Sequence, residues 1–269
     1  MKRILIVILL CLISILTLTP LLWMFTASIM PAGSTSTYPP RLLPQQITWE
    51  HYLVLFTRLN LGKYLLNSIL ISLGVTLISL IVNSMAGYAF AKYRFAGRDK
   101  LFRFLLASMI VPGQVTMLPL FLMLNKLGFV NTYWGILIPG MASIFGIFMI
   151  RQYALSIPDS LIEAARIDGA GDFQIYLTIV LPLFRPILAT LGLFTFIGTW
   201  NDFLWPLIVM TDDSMYTMPV AIGNLIGEHV PDTELMMAGS VLTVLPILIV
   251  FAALQKFYIR GIMAGSVKG

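Results

Sequence analysis

Charge is what this chain has least of. Asp, Glu, Lys and Arg make up 11% of its 269 residues, and hydrophobic residues make up 58%. A soluble domain carries roughly 25% charged residues. A water-soluble fold has too little polar surface to cover so much apolar side chain, so lipid is the expected solvent for most of the chain. Cysteine is almost missing. Cys11, the single one, sits in the first apolar run without a partner for an internal disulfide or neighbours for a metal site. Leu10 is too large to precede a lipoprotein cysteine, which leaves Cys11 as a small apolar filler. The two histidines, His51 and His229, are isolated. No G-x-x-x-x-G-K-S/T is present to cradle ATP and no H-E-x-x-H to hold zinc. Nor is there a G-x-S-x-G elbow. These absences argue against an ATPase of that type and against an intramembrane hydrolase.

Long apolar runs are what the chain has in quantity. Crossing about 30 Å of hydrocarbon takes roughly 20 helical residues. Six segments qualify: 4–26, 67–91, 101–123, 134–150, 183–203 and 236–254. They lack the alternation of a barrel strand, and only helices or closed barrels satisfy the backbone in lipid. The expected fold is therefore an all-α membrane protein with six transmembrane helices. The start resembles a signal peptide, but its apolar core is too long and no A-x-A-like site follows, so an uncleaved first span is expected. Pro112 with Gly113, Pro119, Pro139 and Pro246 are expected to kink or break their helices.

The basic residues orient the chain. Of its seventeen Lys and Arg, Arg41, Arg58, Lys63 and Lys126 fall on one side of this topology and the other thirteen on the opposite side. The richer side is the cytoplasmic one, which puts both termini inside. The implied organisation is an N-terminal transmembrane helix over 1–27 and an external segment over 28–66. A five-helix core follows over 67–257, with a cytoplasmic loop at 157–182, then a cytoplasmic tail over 258–269. In the external segment, Trp49, Tyr52, Leu53 and Phe56 share one helical face, so a short helix lying on the outer surface, or docking a partner, is expected. The loop at 211–235 is external and acidic, and contact with an external protein is open to it.

Ion-coupled carriers place Asp, Glu, Lys or Arg within the hydrocarbon to hold the driving ion. Spans two, four and six contain none of these. Arg103 and Arg185 lie near inner ends, where they can snorkel, and Asp202 lies near an outer end. The chain lacks an energy source of its own.

The loop at 157–182, IPDSLIEAARIDGAGDFQIYLTIVLP, breaks the apolar pattern. Ser160 and Glu163 have the spacing of a capping box at a helix start. Asp168-Gly169 has the chemistry of a helix end, with Gly169 free to turn left-handed. Asp172 can cap a second short helix that stops before Pro182. Leu161, Ile162 and Ala165 give the first helix an apolar side. Two readings stay open on physics alone: an amphipathic element resting at the interface, or a helix fitting a groove on a cytoplasmic partner.

Glu163-Ala164-Ala165, then Gly169, then Ile179-Val180-Leu181-Pro182 match the E-A-A signature in every spacing. The chain thus resembles the integral-membrane permease subunits of binding-protein-dependent ABC importers. The stretches NSMAGYAFAKYRFAGRDKL, TWNDFLWPL and the end AGSVKG resemble the carbohydrate branch, the second permease of the maltose type. The resemblance implies the type I ABC importer permease fold. It makes Glu163, Ala164, Ala165 and Gly169 coupling residues seated in a cleft of a cytoplasmic ATPase, with Arg166 and Asp168 as further contacts. It implies a second permease subunit, two ATP-binding cassette ATPase subunits and an extracytoplasmic solute-binding protein in a bacterial inner membrane. No cofactor is then bound by this chain, and ATP and Mg sit on the ATPase subunits. It also implies a sugar, oligosaccharide or related polyol as solute, and a tail from 261 to 269 that reaches the ATPase.

Trp200, Asn201 and Asp202 suit sugar rings, and they equally suit an interfacial anchor or gate. Asn83, Gln114 and Asn125 suit helix–helix hydrogen bonding or pore lining. The competing functions are a stand-alone secondary carrier or channel for small polar solutes, and a non-transporting scaffold.

Overall fold

The structure, a computed structural model, describes residues 2–39, 42–228 and 232–266. Arg41, His229 and the end of the expected tail, 267–269, lie outside the described residues. Every regular element among the described residues is helical. In chain order these are α1 (Lys2–Ala27), α2 (Glu50–Thr57), α3 (Leu61–Lys92), α4 (Arg98–Ser108), α5 (Gly113–Lys126), α6 (Trp134–Gly140) and α7 (Ile144–Leu155). Then follow α8 (Asp159–Ile167), α9 (Asp172–Ile175), a π-helical turn (Tyr176–Val180), α10 (Leu181–Leu183), α11 (Arg185–Trp200), α12 (Leu204–Val209), a 3₁₀ turn (Asp213–Met215), α13 (Met218–Glu228) and α14 (Thr233–Ser266).

Four stretches are long and apolar enough to cross a membrane unaided: Arg3–Ala27, Leu61–Lys92, Trp134–Leu155 and Thr233–Ala253. Two more pass only as bent pairs: α4 with α5, bent by 104°, and the stretch Asp172–Leu183 with α11, bent by 77°. The run expected at 101–123 is thus two helices rather than one. The break falls just before Gly113, where Pro112 is extended. Proline has no N–H to continue the ladder and disfavours helix at the residue before it. Pro139 also precedes a break, between α6 and α7, whereas Pro119 and Pro246 lie inside unbroken helices. The helix of the last apolar run continues past 254 to Ser266. Along α1, large apolar side chains from Ile4 to Leu22 stand exposed, as they would to acyl chains.

The chain forms two compact units, Met1–Leu66 with Thr217–Leu248, and Asn67–Tyr216 with Ile249–Gly269. In the first, Leu55, Leu61, Met218 and Ala238 make the core. The residues after α1 are pinned by buried polar groups. Glu234, 1% exposed, accepts from the Thr35 amide at 2.7 Å and its hydroxyl at 2.9 Å. His51 Nε2 lies 2.8 Å from the Met30 carbonyl. A short helix does form here, α2, which buries His51 and Leu55 and leaves Leu53 and Phe56 exposed, with exposed Trp49 at its N-cap. Much of the acidic loop at 211–235 is not loop: it folds as α13, with Met218, Val220 and Ala221 buried.

In the second unit, α3 presents a buried row of small polar residues, Ser68, Ser72, Thr76, Ser79 and Asn83, at helical spacing. Small residues let helix backbones approach closely in lipid. A Cβ on Gly87 of α3 would lie 2.6 Å from Ile150 of α7, and one on Gly146 would lie 2.7 Å from the Asn83 amide. Asn83 donates to Ser79 Oγ at 2.6 Å and accepts from the Ser143 amide at 3.0 Å, while Ser143 Oγ accepts from the Gly146 amide. A neighbouring helix and a hydroxyl thereby satisfy donors freed at the α6–α7 break.

Candidate functional site

The loop after α7 is built on α8. The expected capping box is not what starts it. Pro158 occupies the N-cap without a side-chain bond, and Asp159 is the first helical residue, so Ser160 already lies inside the helix. The Asp159 carboxylate, one residue ahead of the expected cap, instead takes the Lys92 ammonium at 2.5 Å. Lys92 also donates to the Ile157 carbonyl at 2.6 Å. Lys92 is the last residue of α3, so the loop is tied to the end of a long helix on two atoms. Hydrogen bonding and the positive charge of Lys92 hold the Asp159 carboxyl below its ordinary range.

The far end of α8 closes as the sequence leads one to expect. Gly169 has φ of 84°. Its amide bonds the Arg166 carbonyl, and the Ala170 amide bonds the Ala165 carbonyl, each at 3.0 Å. This paired closure satisfies two of the last carbonyls and needs a left-handed residue. Nothing lies within 4 Å of a Cβ built on Gly169, so Gly169→Ala is expected to cost only backbone strain, about 1–2 kcal/mol. Thermal unfolding of the detergent-solubilised protein should drop by about 2–4 °C; an unchanged midpoint would show that the left-handed turn carries no strain.

Asp172 departs from its expected part. It is the first residue of α9, whose N-cap is Gly171 without a side-chain bond. Its carboxylate faces back to Arg166, with Nη2 at 3.0 Å and Nε at 3.3 Å. That pair clamps α9 against α8 and raises the Arg166 pKa through hydrogen bonding and charge. The guanidinium also stands 5.9 Å from the Tyr93 ring centre. Pro182 does not stop the second helix, which runs on through Leu183 and bends at Phe184. The turn ahead of the proline widens to π-helical spacing. A proline lacks the N–H for the carbonyl four residues back and its ring crowds that carbonyl, which favours such a bulge.

Packing decides which face of α8 is free. Ile162 and Ala165 are buried against Ile157, Ile175, Tyr176, Phe184 and Tyr88. Leu161, expected on the apolar side, is 45% exposed. Glu163, Ala164, Arg166, Asp168 and Gly169 are exposed, and Ile167 is 86% exposed. Of the signature alanines, Ala164 therefore faces outward and Ala165 inward. A cleft of about 490 Å³ beside Glu163 is lined by Lys92, Tyr93, Arg94, Asp159 and Arg166.

Lys92, Asp159, Tyr88, Tyr93 and Tyr176 do not stand out in the sequence, because they lie at a helix end or in an apolar run. The basic end of the second run is the one signal that points to Lys92. Lys92→Met is expected to cost about 1.5–3 kcal/mol, since it frees a backbone carbonyl as well as an ion pair, and its side chain is 8% exposed. Asp159→Asn, at a site 72% exposed, should cost under about 1 kcal/mol. Hydrogen exchange over 157–168 measures both; equal effects would mean that the carbonyl bond contributes nothing.

The second group of candidates is not one cluster. A cavity of about 250 Å³ is lined by Gly113, Thr116, Met117, Thr199, Asp202 and Trp205, among others. Asp202 accepts from the Trp205 amide at 3.4 Å, and Trp205 Nε1 donates to the Gly135 carbonyl at 3.0 Å. Gln114 and Asn201 are exposed. Trp200 is 1% exposed and stacks on Phe196 at 5.7 Å. Asn83 is fully buried in the α3–α7 seam. Thr199 and Trp205 stand three residues either side of Asp202 and meet it locally, whereas Thr116 joins them only in the folded chain, just after the break before α5.

Residues 83–263 match the family described as binding-protein-dependent transport system inner membrane component. The arabinooligosaccharides transport system permease protein AraQ of Halalkalibacterium halodurans is 36% identical over 260 residues, covering 96% of this chain and 93% of that protein. The lactose transport system permease protein LacG of Rhizobium radiobacter is 32% identical, covering 95% and 94%. The sn-glycerol-3-phosphate transport system permease protein UgpE of Yersinia pestis is 32% identical, covering 93% and 92%. A solved bacterial ABC transporter involved in the import of the acidic polysaccharide alginate superposes with a TM-score of 0.85 at 28% identity, covering 96% of each chain.

Proposed function

Since this chain belongs to the binding-protein-dependent transport system inner membrane components, we propose that it forms half of the translocation pathway of an ATP-driven importer. Its solute is a sugar, an oligosaccharide or a related polyol, and α8 couples it to a cytoplasmic ATPase. The relatives named for arabinooligosaccharides, lactose and glycerol phosphate support that solute class.

One observation carries the coupling role. α8 is held from behind and open in front: its inner face is packed into the core that contains Phe184 at the bend into α11, while Glu163, Ala164 and Ile167 are exposed. An apolar side chain as exposed as Ile167, on a loop pinned at both ends, is the kind of contact that docking would cover. A coupling helix transmits only the difference in binding energy between two states of its partner. It must therefore be stiffly joined to the helix it moves. The Lys92 tie, the Arg166–Asp172 clamp and the closure at Gly169 supply that stiffness.

In this reading the six apolar runs each cross once, with both termini cytoplasmic and the two bent pairs serving as the third and fifth crossings. Asp202, Thr116 and Thr199 border the pathway, Asn201 and Gln114 face it, and Trp200 and Asn83 hold its walls. The working assembly adds a second permease chain, two ATPase subunits carrying ATP and Mg, and an external solute-binding protein.

Affinity purification from the native membrane tests this. An ATPase and a related permease chain should co-purify, and ATP-driven uptake should need all of them. A lone subunit fully active in liposomes would overturn the reading in favour of a stand-alone carrier or channel, and no solute flux in any reconstitution would favour a scaffold.

A further inference from the structure

The elbow between α3 and α4 carries a group of bases of which only Arg94 also borders the cleft beside Glu163. Arg94, Lys100 and Arg103 are exposed there, with Arg98 half-buried beside them. The one acid among them, Asp99, is engaged by Arg98 Nε at 3.0 Å. Arg98 also donates to the Tyr93 carbonyl, which makes it part of the elbow's own framework. Arg94 and Lys100 make no hydrogen bond to any described residue. A cleft of about 570 Å³ opens among Arg94, Phe95, Arg98, Asp99, Lys100 and Arg103.

α4 itself is amphipathic in an uncommon way. Phe102 is buried against Phe90 and Ile147, while Leu101 and Phe104 on other faces are 48% and 70% exposed. Its eleven residues make about 16 Å of helix, too short to cross hydrocarbon. It is bent by 104° from α5. Bases at one end and bare aromatic and aliphatic groups beside them suit the cytoplasmic end of that bent crossing, with the bases at the headgroup level and the apolar groups in hydrocarbon. Clustered Lys and Arg next to a spanning helix attract anionic headgroups.

We propose that this elbow is a binding site for an anionic phospholipid. Arg94, Lys100 and Arg103 grip the headgroup phosphate in the cleft, and Leu101 and Phe104 rest against its acyl chains. A soluble protein partner would account for the bases but would leave Phe104 against water. The site rests on the proposed insertion in a bilayer, and not on the coupling role of α8.

The test uses the purified full assembly in nanodiscs of mixed phosphatidylglycerol and phosphatidylcholine, with retained lipid counted by native mass spectrometry. The protein should prefer phosphatidylglycerol, and millimolar inorganic phosphate should not displace it. Each base near an anionic surface is worth roughly a fivefold change in affinity. The triple variant Arg94→Gln, Lys100→Gln, Arg103→Gln should therefore lose about a hundredfold. A double variant, Arg94→Lys with Arg103→Lys, keeps the charge and should retain the lipid, which separates a binding defect from a folding defect. Unchanged retention in the triple variant overturns the proposal. So does displacement by free phosphate, or loss of the ATPase subunit with lipid retention intact, which would assign the bases to a protein partner. ATP-driven uptake is read on the same preparation: its absence counts against the importer reading, and an absent phosphatidylglycerol preference counts against this site alone.

Discussion

Glu163→Lys is expected to abolish substrate-stimulated ATP hydrolysis and uptake while leaving the chain inserted and folded. The residue is exposed on α8, and its neighbours Ile162 and Ala165, not Glu163 itself, hold the helix to the core. Reversal therefore removes nothing from the packing. It places a new positive charge in a cleft already lined by Lys92, Arg94 and Arg166. If the ATPase presents a donor to Glu163, losing that pair and adding repulsion costs about 3 kcal/mol or more, which is at least a hundredfold in the docked population. Ile167→Asp, on the same open face, should act in the same direction, since a charge would replace the apolar contact. Uptake in proteoliposomes, hydrolysis stimulated by the loaded binding protein, and the amount of ATPase retained on purification are the measurements. Uptake persisting at the wild-type rate in Glu163→Lys would remove the coupling role of α8. Normal ATPase retention with no stimulation would instead mean that Glu163 transmits the movement without holding the partner.

The second large effect belongs to the fold. Gly87→Leu is expected to prevent α3 and α7 from closing, and the protein should fail to accumulate in a folded form. A Cβ at this position would lie 2.6 Å from both Ile150 Cβ and Cγ2 and 3.0 Å from the Arg151 amide nitrogen. Ile150 is branched at that carbon and fully buried, and a backbone atom cannot swing aside, so relief requires the helices to separate. Overpacking typically costs 1–3 kcal/mol, and a leucine forced between two backbones exceeds that range. Separation would also break the polar seam at Asn83, whose bond from the Ser143 amide depends on the same approach. Gly198→Ala is the control: it is helical, with nothing within 4 Å of the added Cβ, and should be neutral or slightly stabilising. Fluorescence-detected size-exclusion chromatography with a thermal ramp distinguishes the two. A wild-type midpoint for Gly87→Leu would mean that the helices are not in contact there.

Much of this was legible from residue order because its causes are local. An apolar run of some twenty residues must be helical in lipid, whole or broken, wherever it sits in the bundle. The left-handed end of α8 follows from Asp168-Gly169 and is found at Gly169. The first turn of α8 shows the limit of local reading. Ser160 and Glu163 fit a capping box, yet Asp159 begins the helix because Lys92, 67 residues earlier in the chain, waits for its carboxylate. The bends at the α4–α5 break and at Phe184 are similar. Four prolines were equal candidates for a break, and Pro112 and Pro139 mark breaks while Pro119 and Pro246 do not. A proline removes the same hydrogen bond everywhere, and whether the helix parts there depends on what neighbours offer the freed groups.

Composition and hydrophobic period by themselves determined that the chain is helical, lives in lipid, and carries one polar, capped loop of E-A-A pattern. Burial decided the rest: that Ala165 faces the core while Glu163 and Ile167 face out, that Asn83 and Trp200 are enclosed, and that Thr116 meets Thr199 and Asp202 at one cavity. The reason is physical. Helix propensity and hydrophobic period depend on neighbours a few positions away along the chain, whereas the face that is covered depends on side chains brought close by helices distant in sequence.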